Sequence, residues 1–117
     1  MSFSFENLLV WQKAIDYSIE IYDISKNFPK EELFAFTSQI RRASDSIALN
    51  IAEGSGCSSK KEFKRFLTIS RRSALESVSC LHIAKLKGFL KDSEFKLLYD
   101  KAEEITKMIS GLKNSLK

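Results

Sequence analysis

Residues that break helices or build disulfide and metal sites are scarce in this sequence. Its 117 residues include one proline and four glycines, so we expect a small number of long elements. Two cysteines without a CxxC spacing are too few for a disulfide framework and are interpreted as buried or incidental thiols. A single histidine argues against an imidazole metal site and against a Ser-His-Asp mechanism. We therefore expect no metal, no other cofactor and no enzymatic activity.

Long uncharged apolar runs are also missing. No segment approaches the ~18 apolar residues that would span a bilayer, so no membrane partner is expected. The N-terminus, MSFSFENLLVWQK, has neither the basic start nor the small-residue cleavage site of a signal peptide. We therefore expect a cytoplasmic protein, and the length predicts one domain over residues 1–117.

Acidic and basic residues are unevenly distributed along the chain. Residues 1–54 carry five basic and eight acidic side chains, whereas residues 55–117 carry fourteen basic and seven acidic ones. The first part therefore has a net charge of −3 and the second a net charge of +7. This asymmetry suggests an anionic partner, or contact between oppositely charged faces of neighbouring copies.

Helical periodicity fills the segments between the few turn signals. Turns are indicated at Phe28-Pro29, at Gly54-Ser55-Gly56 and near Gly88, and no segment between them alternates like a strand. The pattern predicts an all-α, up-down-up-down antiparallel four-helix bundle with helices over about 5–27, 31–53, 59–87 and 92–116.

Candidate end signals accompany three of these helices. Gly54 is expected to end the second helix as the residue just past its last turn. Ser59 and Glu62 are expected to form a capping box at the start of the third. Asp92 or Ser93 is expected to cap the fourth.

The first helix carries two apolar stripes on nearly opposite sides. One contains Leu8, Trp11, Ile15, Ile19 and Tyr22, and the other contains Val10, Ala14, Tyr17, Ile21, Ile24 and Phe28. A bundle core requires an apolar arc of only about 100°. The second stripe is therefore the candidate oligomer interface, because so large an exposed patch would be unusual on a monomer. The alternative is that flanking segments, such as the arm containing Phe3 and Phe5, fold over it.

The second helix places a row of polar side chains beside its apolar stripe. The predicted core stripe is Phe36, Ile40, Ala43, Ile47 and Ile51. The polar row consists of Gln39, Arg42, Ser46, Asn50 and Glu53, with Glu76 of the third helix as a possible partner of Arg42. We favour a hydrogen-bonded layer that specifies helix packing or a subunit interface. A ligand pocket or channel is a second interpretation. The third interpretation is catalysis by Glu53 and Glu76. It would require these two carboxylates to lie together, which the sequence alone does not indicate, so no catalytic residue is assigned.

The third helix begins with a dense run of positive charge. Six basic residues face away from its predicted core side and form the basic face: Lys60, Lys61, Lys64, Arg65, Arg71 and Arg72. They are candidate nucleic-acid-binding residues, and the alternative is a solvated helix surface. Phe63 and Phe66 are expected to point inward, so binding would depend on phosphate contacts and tolerate sequence changes.

Several of these segments together resemble a known family. The stretch QIRRASDSIALNIAEG, the tetrapeptide WQKA, Phe28-Pro29 and the segment 73–76 are similar to the bacterial four-helix-bundle family of 23S rRNA intervening-sequence proteins. The resemblance extends over about residues 7–115 and implies a ring-shaped homopentamer. It also implies similarity to accessory proteins of diversity-generating retroelements, which form pentamers and bind nucleic acid and a reverse transcriptase.

We accordingly expect a non-enzymatic homo-oligomeric scaffold, pentameric if the resemblance holds, with RNA or DNA as its partner. The alternative is a protein-interaction module whose client protein docks on the assembly without nucleic acid.

Overall fold

Four α-helices make up most of the chain. The computed structural model describes residues 2–116, so Met1 and Lys117, the two ends of the predicted domain, lie outside the described residues. The helices are α1 (Leu9–Ser25), α2 (Phe36–Ser55), α3 (Lys60–Leu86) and α4 (Asp92–Ser115). Each helix packs on the next along the chain and α4 returns to α1, and residues 2–116 contain no strand. The prediction of an all-α four-helix bundle is confirmed.

Two helices begin later than predicted. The first helix was predicted from residue 5, but residues 5–7 belong to a separate 3₁₀ turn, Ser4–Asn7, and α1 begins only at Leu9. After Pro29 a second 3₁₀ turn, Lys30–Glu32, precedes α2. Proline lacks the amide that a continuous helix would need, which explains why α1 does not continue into this segment. None of the helices within residues 2–116 is both long and apolar enough to cross a membrane.

The core is built from one apolar stripe of each helix. The stripe predicted for α2 is buried, and in α4 Leu98, Ala102, Ile105 and Ile109 are buried at intervals of four and three residues. Small residues of α3 complete the interior, among them Ser70, Ala74 and Ser77. Buried serines need hydrogen-bond partners, and each of the two in α3 donates to a backbone carbonyl.

The two stripes of α1 have the opposite roles from those predicted. The candidate oligomer-interface residues lie in the core of the single chain: five are buried and the sixth is partly buried against it (Val10, Ala14, Tyr17, Ile21 and Phe28, with Ile24). The prediction that they contact another subunit is therefore corrected. The reason is a partner that periodicity cannot show, since the buried Tyr17 hydroxyl is hydrogen-bonded to Ser77 of α3 at 2.8 Å. Burial also raises the pKa of Tyr17 above its usual value.

The other α1 stripe remains partly in solvent. Ile19 and Tyr22 are 54% and 51% exposed. The N-terminal arm covers one end of this stripe, where the Phe5 ring meets Trp11 edge-on at a centroid distance of 5.0 Å. The arm thus packs on this stripe and not on the one predicted to form the subunit interface.

The helix ends match the predicted signals only in part. Ser59 Oγ accepts a hydrogen bond from the Glu62 amide at 3.1 Å, but the Glu62 carboxylate binds Arg65 instead of completing the capping box. Neither Asp92 nor Ser93 is the N-cap of α4, and that prediction is wrong. Lys91 occupies the cap position, and its amide donates to Glu94 Oε1 at 2.9 Å.

Gly54 belongs to α2 and does not terminate it. Its φ is not positive, whereas Gly88, in the turn after α3, has φ +80° and adopts the left-handed conformation that favours glycine. A Cβ atom at Gly54 would lie 2.7 Å from Phe66 Cβ and 2.9 Å from Phe63 Cδ1. Glycine is therefore required here because α2 and α3 approach closely.

We expect Gly54→Ala to lower the free energy of unfolding by about 1 to 2 kcal/mol, because overpacking outweighs the gain in helix propensity. Gly111→Ala is the matched control, since a Cβ at this exposed α4 position meets no atom within 4 Å. It should raise stability by about 0.5 to 1 kcal/mol. Urea unfolding followed by circular dichroism measures both, and equal stabilisation by the two substitutions would contradict the close approach.

Candidate polar groove and basic face

The polar row lines the edge of the α2–α3 contact. Gln39, Arg42 and Ser46 of α2 and Ser73 and Glu76 of α3 surround a shallow groove that is open to solvent. The structure thus brings Glu76 together with the first half of the row. The long polar side chains of the row are exposed and only its small members are partly buried.

Hydrogen bonds connect the inner members of the row. Asn50 Nδ2 donates to the Ser46 carbonyl at 2.8 Å and to Ser46 Oγ at 2.9 Å. The Ser73 hydroxyl lies 2.9 Å from Ser46 Oγ, across the helix interface. Beneath them, Ser70 Oγ donates to the Ile47 carbonyl at 2.8 Å. The Ser73–Ser46 and Ser70–Ile47 bonds join α3 to α2, whereas the Asn50–Ser46 bonds lie within α2.

The outer members of the row are not paired with one another. No ion pair joins Arg42 and Glu76 within residues 2–116, although both line the groove. Glu53 lies eleven residues beyond Arg42 on α2, which is about 16 Å along the helix axis. Glu53 and Glu76 are therefore too far apart to act as a carboxylate pair.

The cysteines contribute no reactive group to the groove. Burial raises the pKa of the Cys80 thiol, and the nearby Glu76 carboxylate raises it further. A raised pKa lowers the thiolate fraction on which nucleophilicity depends. Cys57 is partly buried at the other end of α2, where its thiol contacts the Glu53 carbonyl at 3.5 Å. Among residues 2–116 no group of three or more His, Cys, Asp or Glu side chains could hold a metal ion.

The basic face lies along the outer surface of α3. Five of its six residues are exposed and Lys64 is partly buried. Arg65 is held by Glu62 at 2.7 Å and covers the Phe66 ring at 4.6 Å. Over the described part of the chain, no carboxylate lies within 4.0 Å of the unneutralised cations of the face, which are Lys61, Lys64, Arg71 and Arg72.

α4 adds one cation that the sequence pattern missed. Lys113 Nζ donates to Thr68 Oγ1 at 2.8 Å, and both residues line a groove with Lys61, Lys64 and Arg65. Lys113 lies 45 positions after Thr68, so local charge patterning could not show this contact. Lys113 could have been placed near the basic face only from the antiparallel packing of α3 and α4, which puts the end of α4 beside the start of α3.

A second exposed region lies on α1 and α2. Ser18 of α1 donates a hydrogen bond to Asp45 of α2. Ile15 and Ile19 lie within one turn of Ser18 on α1. Leu49 lies one turn after Asp45 on α2. These side chains therefore lie on one side of the molecule, where Leu49 is 62% exposed. Together with the neighbouring α1 residues they form the outer apolar face, which consists of Trp11, Ile15, Ile19, Tyr22 and Leu49.

Comparisons with known proteins agree with the helical architecture. The sequence model of one family, described as 23S rRNA-intervening sequence protein, matches residues 6–111. The chain is similar to the crystal structure of a protein with unknown function from the S23 ribosomal protein family of Bacteroides thetaiotaomicron. The TM-score is 0.84 at 22% identity, over 90% of this chain and 98% of that chain, so the match concerns the fold alone. No curated protein matches the sequence.

A double-mutant cycle should detect the bond between Ser46 and Ser73. We expect the two Ser→Ala substitutions to be coupled by about 0.5 to 1 kcal/mol in unfolding free energy, since removing either hydroxyl breaks the same contact. Gln39→Ala with Ser73→Ala is the control cycle, because Gln39 is exposed and should show no coupling. A Ser46–Ser73 coupling as small as that of the control would refute a packing role.

Proposed function

This chain belongs to the family of 23S rRNA-intervening sequence proteins, and from that premise we propose that it is a non-enzymatic, cytoplasmic, homo-oligomeric scaffold that binds RNA or DNA. The proposal rests on the basic face of α3, whose cations are mostly without acidic partners. A cation that is already paired with a carboxylate would lose this ion pair on binding phosphate. The unneutralised cations have no ion pair to lose.

The size of the basic face suits a phosphate backbone. Its residues extend over about 18 Å of helix, since twelve residues separate Lys60 from Arg72. Lys113 widens the charged surface toward α4. Binding to several phosphates would release counterions, so affinity should fall steeply with salt.

Base recognition has little support from the same surface. Phe63 packs against the core and the Phe66 ring lies under Arg65. No aromatic ring of the α3 face is therefore free to stack on bases. We propose binding that reads phosphate position and nucleic-acid shape and tolerates changes of sequence.

The outer apolar face supports assembly of several copies. It replaces the stripe first assigned to the interface, because Ile19, Tyr22 and Leu49 are exposed and Trp11 and Ile15 are only partly buried. Apolar surface of this kind on one side of a bundle is suited to contact with a second copy. The family resemblance implies five subunits, and a ring would repeat the basic face around its circumference and strengthen weak phosphate contacts.

A protein-interaction module is the second candidate. Phe34 and Leu86 are 93% and 87% exposed, so large apolar side chains are available outside the outer apolar face. They would contact a client protein, and nucleic acid would have no part in that function. Salt-sensitive RNA affinity distinguishes the two proposals.

We expect the variant Lys64→Glu with Arg71→Glu to bind structured RNA much more weakly than the unmodified protein. Loss of two phosphate contacts should also reduce the magnitude of the log affinity versus log salt slope by about 1.5. Fluorescence anisotropy at several salt concentrations measures both quantities.

The matched control for this measurement is Lys91→Glu with Lys107→Glu, which changes the net charge equally at exposed positions away from the basic face. It should retain most of the affinity. If the unmodified protein shows no binding to RNA or DNA at about 50 mM salt, where phosphate contacts are strong, nucleic-acid binding is excluded.

Ile19→Glu should convert the oligomer to a folded monomer of 13.4 kDa. A carboxylate would be buried without a partner in the assembly, whereas in the single chain this side chain is half exposed. Leu86→Glu is the control, since it replaces an exposed leucine outside the outer apolar face and should leave the assembly intact. Sedimentation equilibrium distinguishes the monomer from the oligomer. If the unmodified protein is a monomer at micromolar concentration, the assembly proposal is refuted.

A further inference from the structure

A cavity lies at the junction of α1 and α2, away from the basic face. It is formed by the end of α1, the connecting segment and the first turns of α2, and its volume is about 280 Å³. Its polar lining includes Lys26, Lys30, Thr37 and Arg41, and its apolar lining includes Tyr22 and Leu33. This size is near the lower end of the ~300 to 1,000 Å³ typical of small-molecule sites.

Arg41 is oriented in this cavity by neutral groups only. Its Nε donates to Ser25 Oγ at 2.8 Å, and its guanidinium lies 4.4 Å from the centroid of the Tyr22 ring. No carboxylate in residues 2–116 lies within 4.0 Å of it, although its side chain is partly buried. A partly buried guanidinium without a counter-ion is suited to binding an anion bidentately.

The other charged residues that line the cavity, Lys26 and Lys30, are also positive. Lys30 has no carboxylate within the same distance in the described chain, and Lys26 is paired with Asp23 at 3.6 Å. No acidic side chain lines the cavity. The positive charge of Arg41 and Lys30 is therefore not neutralised within the site.

Thr37 lines the same cavity and carries a hydroxyl without a partner in the described chain. The residue is 1% exposed, and its Oγ1 has no hydrogen-bond partner within residues 2–116. Such a buried polar atom is costly unless something bonds to it. Thr37 is also the second residue of α2, and the cap residue Ala35 makes no side-chain hydrogen bond to this helix end.

The two helix ends at the cavity differ in what they offer an anion. The first amides of α2 carry the positive end of its dipole, which attracts oxyanions. The Tyr22 carbonyl near the end of α1 is already occupied, because it accepts from Ser25 Oγ at 3.1 Å and from Arg41 at 3.4 Å. The first turn of α2 is therefore the side available to a charged ligand.

We propose that this cavity binds a small organic phosphate. Arg41, Lys30 and the first turn of α2 hold the phosphate, and the apolar body of the ligand lies on Tyr22 and Leu33. Two unneutralised cations favour a dianion over a carboxylate. This small-molecule site is separate from the basic face and does not depend on the scaffold function.

Four probes test this assignment by isothermal titration calorimetry of the 117-residue protein. They are phenyl phosphate, inorganic phosphate, benzoate and phenol. We expect phenyl phosphate to bind most tightly, phosphate and benzoate about tenfold or more weakly, and phenol not measurably. No binding of phenyl phosphate, or equal binding of benzoate or phenol, would overturn the proposal.

Variants separate recognition from folding. Lys30→Gln should lower the affinity for phenyl phosphate about tenfold. Lys107→Gln, at an exposed position on α4, should leave this affinity unchanged. Thr37→Val should lower the affinity for phenyl phosphate. It should also raise the thermal midpoint of the free protein, because it removes a hydroxyl without a partner. Unchanged affinity in both Lys30→Gln and Thr37→Val would refute the site even if some binding persists.

Discussion

The close approach of α2 and α3 is the constraint on which the other features depend. Gly54 brings the helices so near that one methyl group would clash with Phe66, and Ser70 donates directly to the Ile47 carbonyl. With backbones at this distance there is little room for long polar side chains between the helices. Small hydroxyl and amide groups bond inside the contact, and Arg42 and Glu76 remain at its open edge. The same packing turns the cations of α3 outward into solvent.

Periodicity identified the core where a helix has one apolar stripe. α2 is a helix of this kind, and its predicted core residues are buried. α1 has two stripes, and the choice between them depends on contacts distant in sequence. Tyr17 faces the core because Ser77, sixty positions away, gives its hydroxyl a partner there. Charge offers a further signal, since Lys13 and Glu20 of α1 form ion pairs with α4 and so border the buried side.

The candidate sites show the same division between local and distant signals. The basic face arises from a local run, and the sequence alone was sufficient to identify its residues. Lys113 joins it only through packing. The α1–α2 cavity was not foreseen, because it requires the turn after Pro29 to bring Lys30 and Arg41 around Tyr22. Helix caps were also predicted poorly, since a cap depends on which of several neighbouring residues leaves the helix first.

Tyr22 connects two of the surfaces for which functions are proposed. One part of this side chain belongs to the outer apolar face, and its ring contacts Arg41 and Lys26 at the cavity. A second copy that covers Tyr22 would restrict the ring and the Arg41 guanidinium that rests on it. A phosphate held by Arg41 would in turn alter the surface offered to that copy. Linkage then requires assembly and ligand binding to change each other's affinity by the same factor. Under the two proposals, the outer apolar face and the small-molecule site share Tyr22 and are therefore coupled in free energy.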